Sequence, residues 1–152
     1  MLGGNSVCES WIFDHVGVVV PDLAKGRAHF VAMLGISRWT ESLVDAVNGV
    51  HLAFGRDPTG MVYELLAPID AASPIYRAMR ARTNILNHMA YRVPDLDAAA
   101  AHLRNARCAP TGHPSTAIAF GGARIQFFVT PIASIVEIIE APRFEHDFKL
   151  EV

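Results

Sequence analysis

Two hydrophobic patterns recur along this chain, and each occurs twice in the same order. The segments "WIFDHVGVVV" and "ILNHMAYRV" are rich in β-branched and aromatic residues and largely apolar on both faces, which predicts strands buried on both faces. Pro-Asp-Leu follows each of them, and we expect Asp22 and Asp95 to accept hydrogen bonds from free N–H groups at a helix start. Apolar residues then recur at helical spacing, and Gly35 is suited to end the first helix.

Strand-like segments separated by turn residues come after each predicted helix. They read "GVHLAFG" and "GMVYELLAP" in the first half, and "TAIAFGG", "ARIQFFVT" and "ASIVEIIEAP" in the second. Both halves therefore have the order βαβββ, which predicts an α+β fold class. Between them, "SPIYRAMRAR" predicts a short linking helix with Ser73 as its cap and Pro74 in its first turn.

The two halves are copies of one module at a fixed offset. "HVGVVVPDL" begins at His15 and "HMAYRVPDL" begins at His88, which gives an offset of 73 residues (88 − 15). The same offset carries Glu64, in "VYELLAP", to Glu137, in "IVEIIEAP" (64 + 73 = 137). Self-similarity at a fixed offset indicates an internal repeat. We therefore predict a single domain, 1–152, with module 1 at about 11–69, the linking helix at about 73–82 and module 2 at about 85–142.

The repeated histidines and glutamates are candidate metal ligands. Apolar residues flank each glutamate on its own strand face, where a carboxylate is costly unless a positive charge compensates it. Two imidazoles and two carboxylates suit one divalent Co, Zn, Ni, Mn or Fe ion, whereas calcium prefers oxygen ligands alone. The alternative is two core histidines with two glutamates that face water. The common offset favours a metal site formed by His15, Glu64, His88 and Glu137.

Composition changes this picture mainly by exclusion. The chain has 152 residues, of which 51% are hydrophobic and 18% charged, so it can bury a sizeable core. A formal net charge of −2 offers no basic surface for nucleic acid. The apolar stretches are shorter than the roughly 20 residues that span a bilayer, and the first residues lack the pattern of a signal peptide, so we expect no membrane partner and a cytoplasmic location. Cys8 and Cys108 form no Cys-x-x-Cys pair, which argues against a thiolate metal site.

These segments resemble the vicinal oxygen chelate superfamily, which includes glyoxalase I, extradiol dioxygenases, bleomycin-resistance proteins and methylmalonyl-CoA epimerase. The resemblance covers about residues 12–141 and is closest to the epimerase branch, in "DHVGVVVPDL", "YELLAPIDAASPI" and "NHMAYRVPDLDAAAAHL". It implies two tandem βαβββ modules that form an open, eight-stranded, mixed, glyoxalase-like barrel around one divalent metal ion. The ligands implied are again His15, Glu64, His88 and Glu137.

The resemblance also implies a type of chemistry. A metal that chelates two neighbouring substrate oxygens stabilises an enolate, so that a base can remove a proton next to a carbonyl. In the epimerase pattern one base is a glutamate on the strand before the second ligand strand, and our alignment places His51 at that position. Histidine can transfer protons near neutral pH, although His51 is alternatively a substrate contact or an exposed strand residue. Glu137 is the other candidate base.

The segment "GGARIQFF" resembles a Gly-Gly-x-Arg-x-x-Phe element of the same superfamily. It implies that Gly121, Gly122 and Arg124 bind substrate at a pocket mouth, and a hairpin turn is the alternative for the two glycines. The segment "VTPIASIVE" is shorter than the loop that epimerases carry there, and it lacks their lysine and glycine. A thioester of CoA or of a carrier protein and a free 2-oxo or 2-hydroxy acid therefore all stay open as the small-molecule substrate.

Three classes of function follow from this interpretation. We favour a metal-dependent epimerase or isomerase, with a glyoxalase I-like lyase or a non-haem metal dioxygenase as the alternative. A fourth ligand at Glu64 argues against the facial triad of iron dioxygenases. The third class is a metal-free binding or resistance protein, against which the complete ligand set counts. We also expect a homodimer, because open barrels expose strand edges, and we expect His113 and His146 to face solvent.

Overall fold

The computed structural model describes residues 6–83 and 85–151, and the chain divides into two compact units. We call them the His15 unit, which contains His15–Asn87 and the chain from Glu145 onward, and the His88 unit, which contains the chain up to Asp14 and His88–Phe144. Strand β1 (Ile12–Val19) crosses from the second of these into the first. Among the described residues, no helix is long and apolar enough to cross a membrane.

The His15 unit contains the first βαβββ module. Helix α1 (Leu23–Leu34) is followed by β2 (Arg38–Trp39), β3 (Leu43–Asp45), β4 (Val50–Arg56), β5 (Val62–Pro68) and helix α2 (Tyr76–Ala81). Strand β5 pairs in parallel with β1 and antiparallel with β4, and β4 in turn pairs with β3 and β2. Short strand β11 (Lys149–Leu150), near the end of the chain, pairs with β2.

The His88 unit repeats this arrangement. Strand β6 (Leu86–Arg92) leads into helix α3 (Leu96–Asn105), which is followed by β7 (Ala109–Pro110), β8 (Ser115–Ala117), β9 (Ala123–Val129) and β10 (Ile135–Ile139). Strand β10 pairs in parallel with β6 and antiparallel with β9, while β9 also pairs with β7 and β8. The predicted α+β fold class is confirmed, and the structure adds the short strands β2, β3, β7 and β11 to the segments that we predicted as strands.

The helix starts behave as the sequence predicts in two cases and differently in the third. Asp22 accepts a hydrogen bond from the N–H of Lys25, and Asp95 accepts one from the N–H of Ala98, so both are N-caps. Gly35 ends α1 in the left-handed region, at φ 67°. The prediction of Ser73 as the cap of α2 is wrong. Its carbonyl accepts a hydrogen bond from the N–H of residue 76 in a turn, so the helix begins only after that turn, with residue 75 at its N-cap.

Each unit packs its helix against one face of its strands. In the His15 unit the core cluster contains Val18, Val20, Phe30, Ile36, Trp39, Leu65 and Ala67. In the His88 unit it contains Val93, Leu96, Ala99, Ala100, Leu103, Cys108, Phe128 and Ile138. Successive side chains of a strand point to opposite faces. The glutamates that precede Leu65 and Ile138 therefore lie on the strand face that is turned away from the helix.

Candidate metal centre

The first predicted ligand pair forms within the His15 unit. Strand register places Gly17 directly beside Glu64, so His15, two residues before Gly17, lies on the same face as that carboxylate. The Nε2 atom of His15 is 3.1 Å from Oε2 of Glu64. Both residues are buried, with 0% of His15 and 6% of Glu64 exposed. Gly17 has no side chain, which leaves space next to the pair.

The second pair forms in the same way within the His88 unit. Here Ala90 lies directly beside Glu137, and His88 precedes Ala90 by two residues. The Nε2 atom of His88 is 3.0 Å from Oε2 of Glu137. The exposed fractions are 4% for His88 and 3% for Glu137. The neighbouring small residues also obey the offset of the repeat, because 17 + 73 = 90. We call each of the two His–Glu pairs a half-site.

A phenylalanine completes each half-site, and our sequence analysis missed both of them. Phe54 lies directly opposite Glu64 across β4 and β5, and its ring is edge-on to His15, with centroids 5.1 Å apart. Phe127 lies directly opposite the other glutamate, and its ring is edge-on to His88, with centroids 5.3 Å apart. The signal was present in the sequence, since the same offset relates the two rings (54 + 73 = 127).

The donor atoms of the half-sites fit a transition-metal cation. Each half-site presents one imidazole nitrogen and one carboxylate oxygen, both withdrawn from water and beside an aromatic ring. A buried carboxylate needs a compensating positive charge, and a divalent cation supplies it. Mixed nitrogen and oxygen donors suit Zn, Co, Ni, Mn or Fe better than they suit calcium. The chemistry of each half-site therefore agrees with the predicted type of ion.

His51 occupies the face of β4 opposite to the one that carries the half-site. It pairs with Ala67, which is three residues from Glu64 and therefore points the other way. The positions of β4 that share a face with this glutamate are Val50, Leu52 and Phe54, which are apolar and buried, and Arg56, which is exposed at the end of the strand. This register argues against the prediction that His51 is the base. The sequence alignment placed His51 on a strand but did not determine which face of the strand it occupies, because a shift of one residue in the alignment moves a side chain to the other face.

Arg124 likewise lies away from its half-site. It is three residues from Phe127 and so points to the other face of β9, where Nη2 is 2.9 Å from Oε2 of Glu140 and 3.3 Å from Oδ2 of Asp97. Glu140 also accepts a hydrogen bond of 2.7 Å from the N–H of Leu96, at the start of α3. The hydrogen bond from Arg124, followed by that from Leu96, lowers the pKa of Glu140. These contacts give Arg124 a structural role in holding α3, and they argue against the predicted substrate contact.

The two glycines of the same segment form a turn. Gly121 and Gly122 adopt φ values of 65° and 81°, and they connect a short 3-10 helix, Ile118–Phe120, to β9. Such backbone conformations favour glycine over residues with a side chain. The structure therefore supports the hairpin-turn interpretation for Gly121 and Gly122.

His146 joins the His15 half-site, although the sequence led us to expect a solvent-facing residue. Its ring is half-buried and lies against Phe54, with centroids 4.3 Å apart and planes inclined by 41°. A ring nitrogen of His146 lies within 4.8 Å of a ring nitrogen of His15. The segment that carries it has no hydrophobic periodicity and no repeat partner, so no pattern in the sequence predicts this contact. His113, by contrast, is exposed, as we expected.

Comparisons with known proteins support the fold and the family. Methylmalonyl-CoA epimerase from Mycobacterium tuberculosis superimposes with a TM-score of 0.70 and 26% identity, over 84% of this chain and 85% of that one. A hypothetical protein from Bacillus halodurans superimposes with a TM-score of 0.74 and 20% identity, over 91% and 99%. A variant of Streptomyces coelicolor methylmalonyl-CoA epimerase, in complex with 2-nitronate-propionyl-CoA, superimposes with a TM-score of 0.68 and 22% identity. The match covers 84% of this chain and 94% of that one. No curated protein sequence matches the chain.

The family assignment rests on the sequence as well as on the fold. Residues 14–127 match the family model described as the Glyoxalase/Bleomycin resistance protein/Dioxygenase superfamily, which is more than half of the chain. The predicted resemblance and the glyoxalase-like fold are thereby confirmed. This protein belongs to the glyoxalase/bleomycin resistance protein/dioxygenase superfamily.

Proposed function

We propose that the two half-sites together hold one divalent metal ion, and that the protein is a metal-dependent epimerase or isomerase. The observation that carries the proposal is the equivalence of the half-sites. In each, the Nε2 atom of the histidine lies close to Oε2 of the glutamate, at 3.1 Å in the His15 unit and 3.0 Å in the His88 unit. A small residue and a phenylalanine occupy matching positions beside each pair. One shared ion would account for the presence of the same buried donors in both copies of the repeated module. The proposed ligands are His15, Glu64, His88 and Glu137.

The family and the donor set both support a resident ion. Members of this superfamily typically depend on a divalent metal. When bound, the ion supplies Lewis-acid stabilisation for the oxyanion that develops on a chelated substrate. His15, Glu64, His88 and Glu137 would hold the ion, which would bind and polarise two neighbouring oxygens of a substrate. The substrate class implied is therefore a small acid or acyl thioester with two oxygens close together.

The residues of the chain supply the proton transfer and exclude water. We assign the base to Glu137, whose carboxylate is buried beside Phe127 and would take a proton from the carbon next to the substrate carbonyl. Leu52, which is buried on the same face of β4 as Phe54, limits access of water to the His15 half-site.

Complexes of structural relatives with CoA thioesters suggest a thioester as the first substrate to test. One such structure is a methylmalonyl-CoA epimerase in complex with methylmalonyl-CoA, at 22% identity. We therefore propose an acyl thioester of CoA or of a carrier protein, or a related small acid, as the substrate.

Solvent deuterium exchange tests this function directly. The metal-loaded protein is incubated with methylmalonyl-CoA in deuterium oxide, and label at the 2-carbon is measured by mass spectrometry. We expect exchange in the wild type, and a loss of about 100-fold or more in Glu137→Gln, because general-base catalysis contributes at least that much. His113→Ala, at an exposed position, is the matched control and should exchange like the wild type. Absence of exchange by metal-loaded wild type would contradict an epimerase.

A glyoxalase I-like lyase is the second candidate, and one observation favours it. The half-site face of β4 carries Val50, Leu52, Phe54 and Arg56, none of which has a carboxylate or an imidazole, so this strand provides no second base for an epimerase that works on both faces of a carbanion. A single base is enough for a proton shift within a hemithioacetal. Formation of a thioester from methylglyoxal and glutathione, without any exchange of methylmalonyl-CoA, would select this function instead.

A further inference from the structure

We propose that His146 is a substrate-binding residue, which donates a hydrogen bond to an oxygen of the chelated substrate. The inference rests on the proposed function and deepens it. It makes the C-terminal segment, residues 145–150, a part of the site, and it specifies an anionic acid with two neighbouring oxygens as the ligand class. His146 takes this role beside Phe54, an apolar position of β4.

The position of His146 within the His15 unit is the first support. Its ring lies on Phe54, and the same phenyl ring is edge-on to His15. A nitrogen of His146 lies within 4.8 Å of a nitrogen of His15, so the two imidazoles are neighbours in this unit. An imidazole carries an N–H donor in either of its protonation states.

Contacts on both sides of His146 fix the segment in place. Before it, in the His88 unit, Nη1 of Arg92 donates to the carbonyl oxygens of Pro142 and Phe144, at 3.2 and 2.7 Å. After it, in the His15 unit, the Arg56 guanidinium lies 4.9 Å from the centre of the Phe148 ring. Strand β11 then pairs with β2, and Nζ of Lys149 is 2.7 Å from Oε1 of Glu41. A side chain held between such anchors loses little further freedom when it binds a ligand.

The asymmetry that His146 creates is the second support. The half-sites match in histidine, glutamate, phenylalanine and small residue, so they alone would treat the two ends of a substrate alike. The offset that relates them leads from His146 back to Ser73 (146 − 73 = 73), so the repeat contains no second histidine at this place. A donor beside one half-site alone gives a chelated acid a defined orientation.

Oxalate binding to the metal-loaded protein tests the proposal without any catalytic assay. Oxalate is an anionic probe with two neighbouring oxygens, and its dissociation constant is measured by calorimetry on the Co-loaded wild type, His146→Ala, His146→Gln and His113→Ala. Cobalt content and visible absorption are recorded for each protein. We expect unchanged cobalt and oxalate binding about tenfold weaker in His146→Ala, since a hydrogen bond to a charged group is lost. His146→Gln keeps an N–H donor and should recover part of the affinity, while His113→Ala should match the wild type.

Three results would overturn the inference, and they are distinguishable. Equal oxalate affinity in cobalt-loaded wild type and His146→Ala means that His146 makes no contact with the ligand. Loss of cobalt in His146→Ala means that it is a metal ligand or a structural residue. A wild type that binds no cobalt, or that binds cobalt but no oxalate, refutes the proposed metal function itself, and the inference fails with it.

Discussion

Phe54 stands edge-on to His15, with ring centroids 5.1 Å apart and planes inclined by 77°. Phe127 stands in the same relation to His88, at 5.3 Å and 82°. Edge-to-face geometry is favourable between aromatic rings, and it fixes the orientation of the imidazole. The histidines are therefore held by packing in the position from which they would bind a metal. Such preorganisation is what a rigid metal site requires of its surroundings.

Truncation of Phe54 should destabilise the fold. Its ring is only 2% exposed and lies between His15 and His146, so Phe54→Ala leaves a cavity. We expect a loss of about 3 kcal/mol in the free energy of unfolding, measured by urea denaturation of the metal-free protein. Phe127→Ala should lower the free energy of unfolding by a smaller amount, because the Phe127 ring is only half-buried. An equal or larger loss in Phe127→Ala would contradict this packing.

Gly55 is expected to tolerate no side chain. A Cβ at this position would lie 2.7 Å from an atom of the Trp39 ring, and Trp39 is itself fully buried in the core of the His15 unit. Gly55→Ala should therefore lower the free energy of unfolding by about 1 to 3 kcal/mol. The control is Gly112→Ala, where a Cβ would meet nothing within 4 Å, and thermal denaturation should show no more than about 0.5 kcal/mol of change. Indistinguishable midpoints for the two variants would refute the contact.

Glu140 should give the stability of the protein a defined pH dependence. Hydrogen bonds from Arg124 and from the N–H of Leu96 lower the pKa of this carboxyl in the folded state. Its contribution is therefore complete above the unfolded pKa of about 4.3 and disappears as the pH falls through the lower, folded value. We expect Glu140→Gln to lower the free energy of unfolding by about 1 kcal/mol at pH 7, mainly because the contact with the N–H at the start of α3 is weakened. At a pH below the folded pKa of Glu140, the variant and the wild type should be equally stable. Urea denaturation across this range checks the prediction, with Glu145→Gln, at an exposed position, as control.

A constant difference between wild type and Glu140→Gln at every pH would contradict this assignment. That result would mean that the carboxylate contributes through its shape and not through its charge. A pH-dependent loss of similar size in Glu145→Gln would point to the net charge of the protein as the cause.

Glutamine at position 64 should keep a weakened metal site. An amide oxygen can still bind a cation, although it lacks the carboxylate charge. We expect Glu64→Gln to retain metal with lower affinity and Glu64→Leu to lose it, because leucine fills the position without a donor atom. Competition with a chelator of known affinity measures the difference. Metal affinity unchanged in Glu64→Leu would exclude this residue from the ligand set.

The ligand pairs were predictable because repetition and strand alternation are both visible in the sequence. The offset that links His15 to His88 also links Glu64 to Glu137, and the structure forms each His–Glu pair within its own unit. The same offset would have revealed Phe54 and Phe127, had it been applied to apolar positions as well.

Other features depend on information that the sequence pattern does not carry. The face on which His51 lies is decided by its register with β5, where a slip of one residue reverses every side chain. His146 reaches Phe54 only because β11 pairs with β2, a contact between distant parts of the chain. Serine is a common N-cap residue, but the carbonyl of Ser73 accepts a hydrogen bond within a turn that precedes the helix, so α2 begins only at Tyr76.

Metal content is the measurement that tests the central proposal most directly. Elemental analysis is carried out on the wild type, His88→Ala, Glu137→Ala and, as the control, His113→Ala, whose side chain is exposed. We expect about one divalent ion per chain in the wild type and the control, and its loss in both ligand variants, because each removes a donor and leaves its partner unpaired. A full metal load in both His88→Ala and Glu137→Ala would contradict a centre shared by the two half-sites.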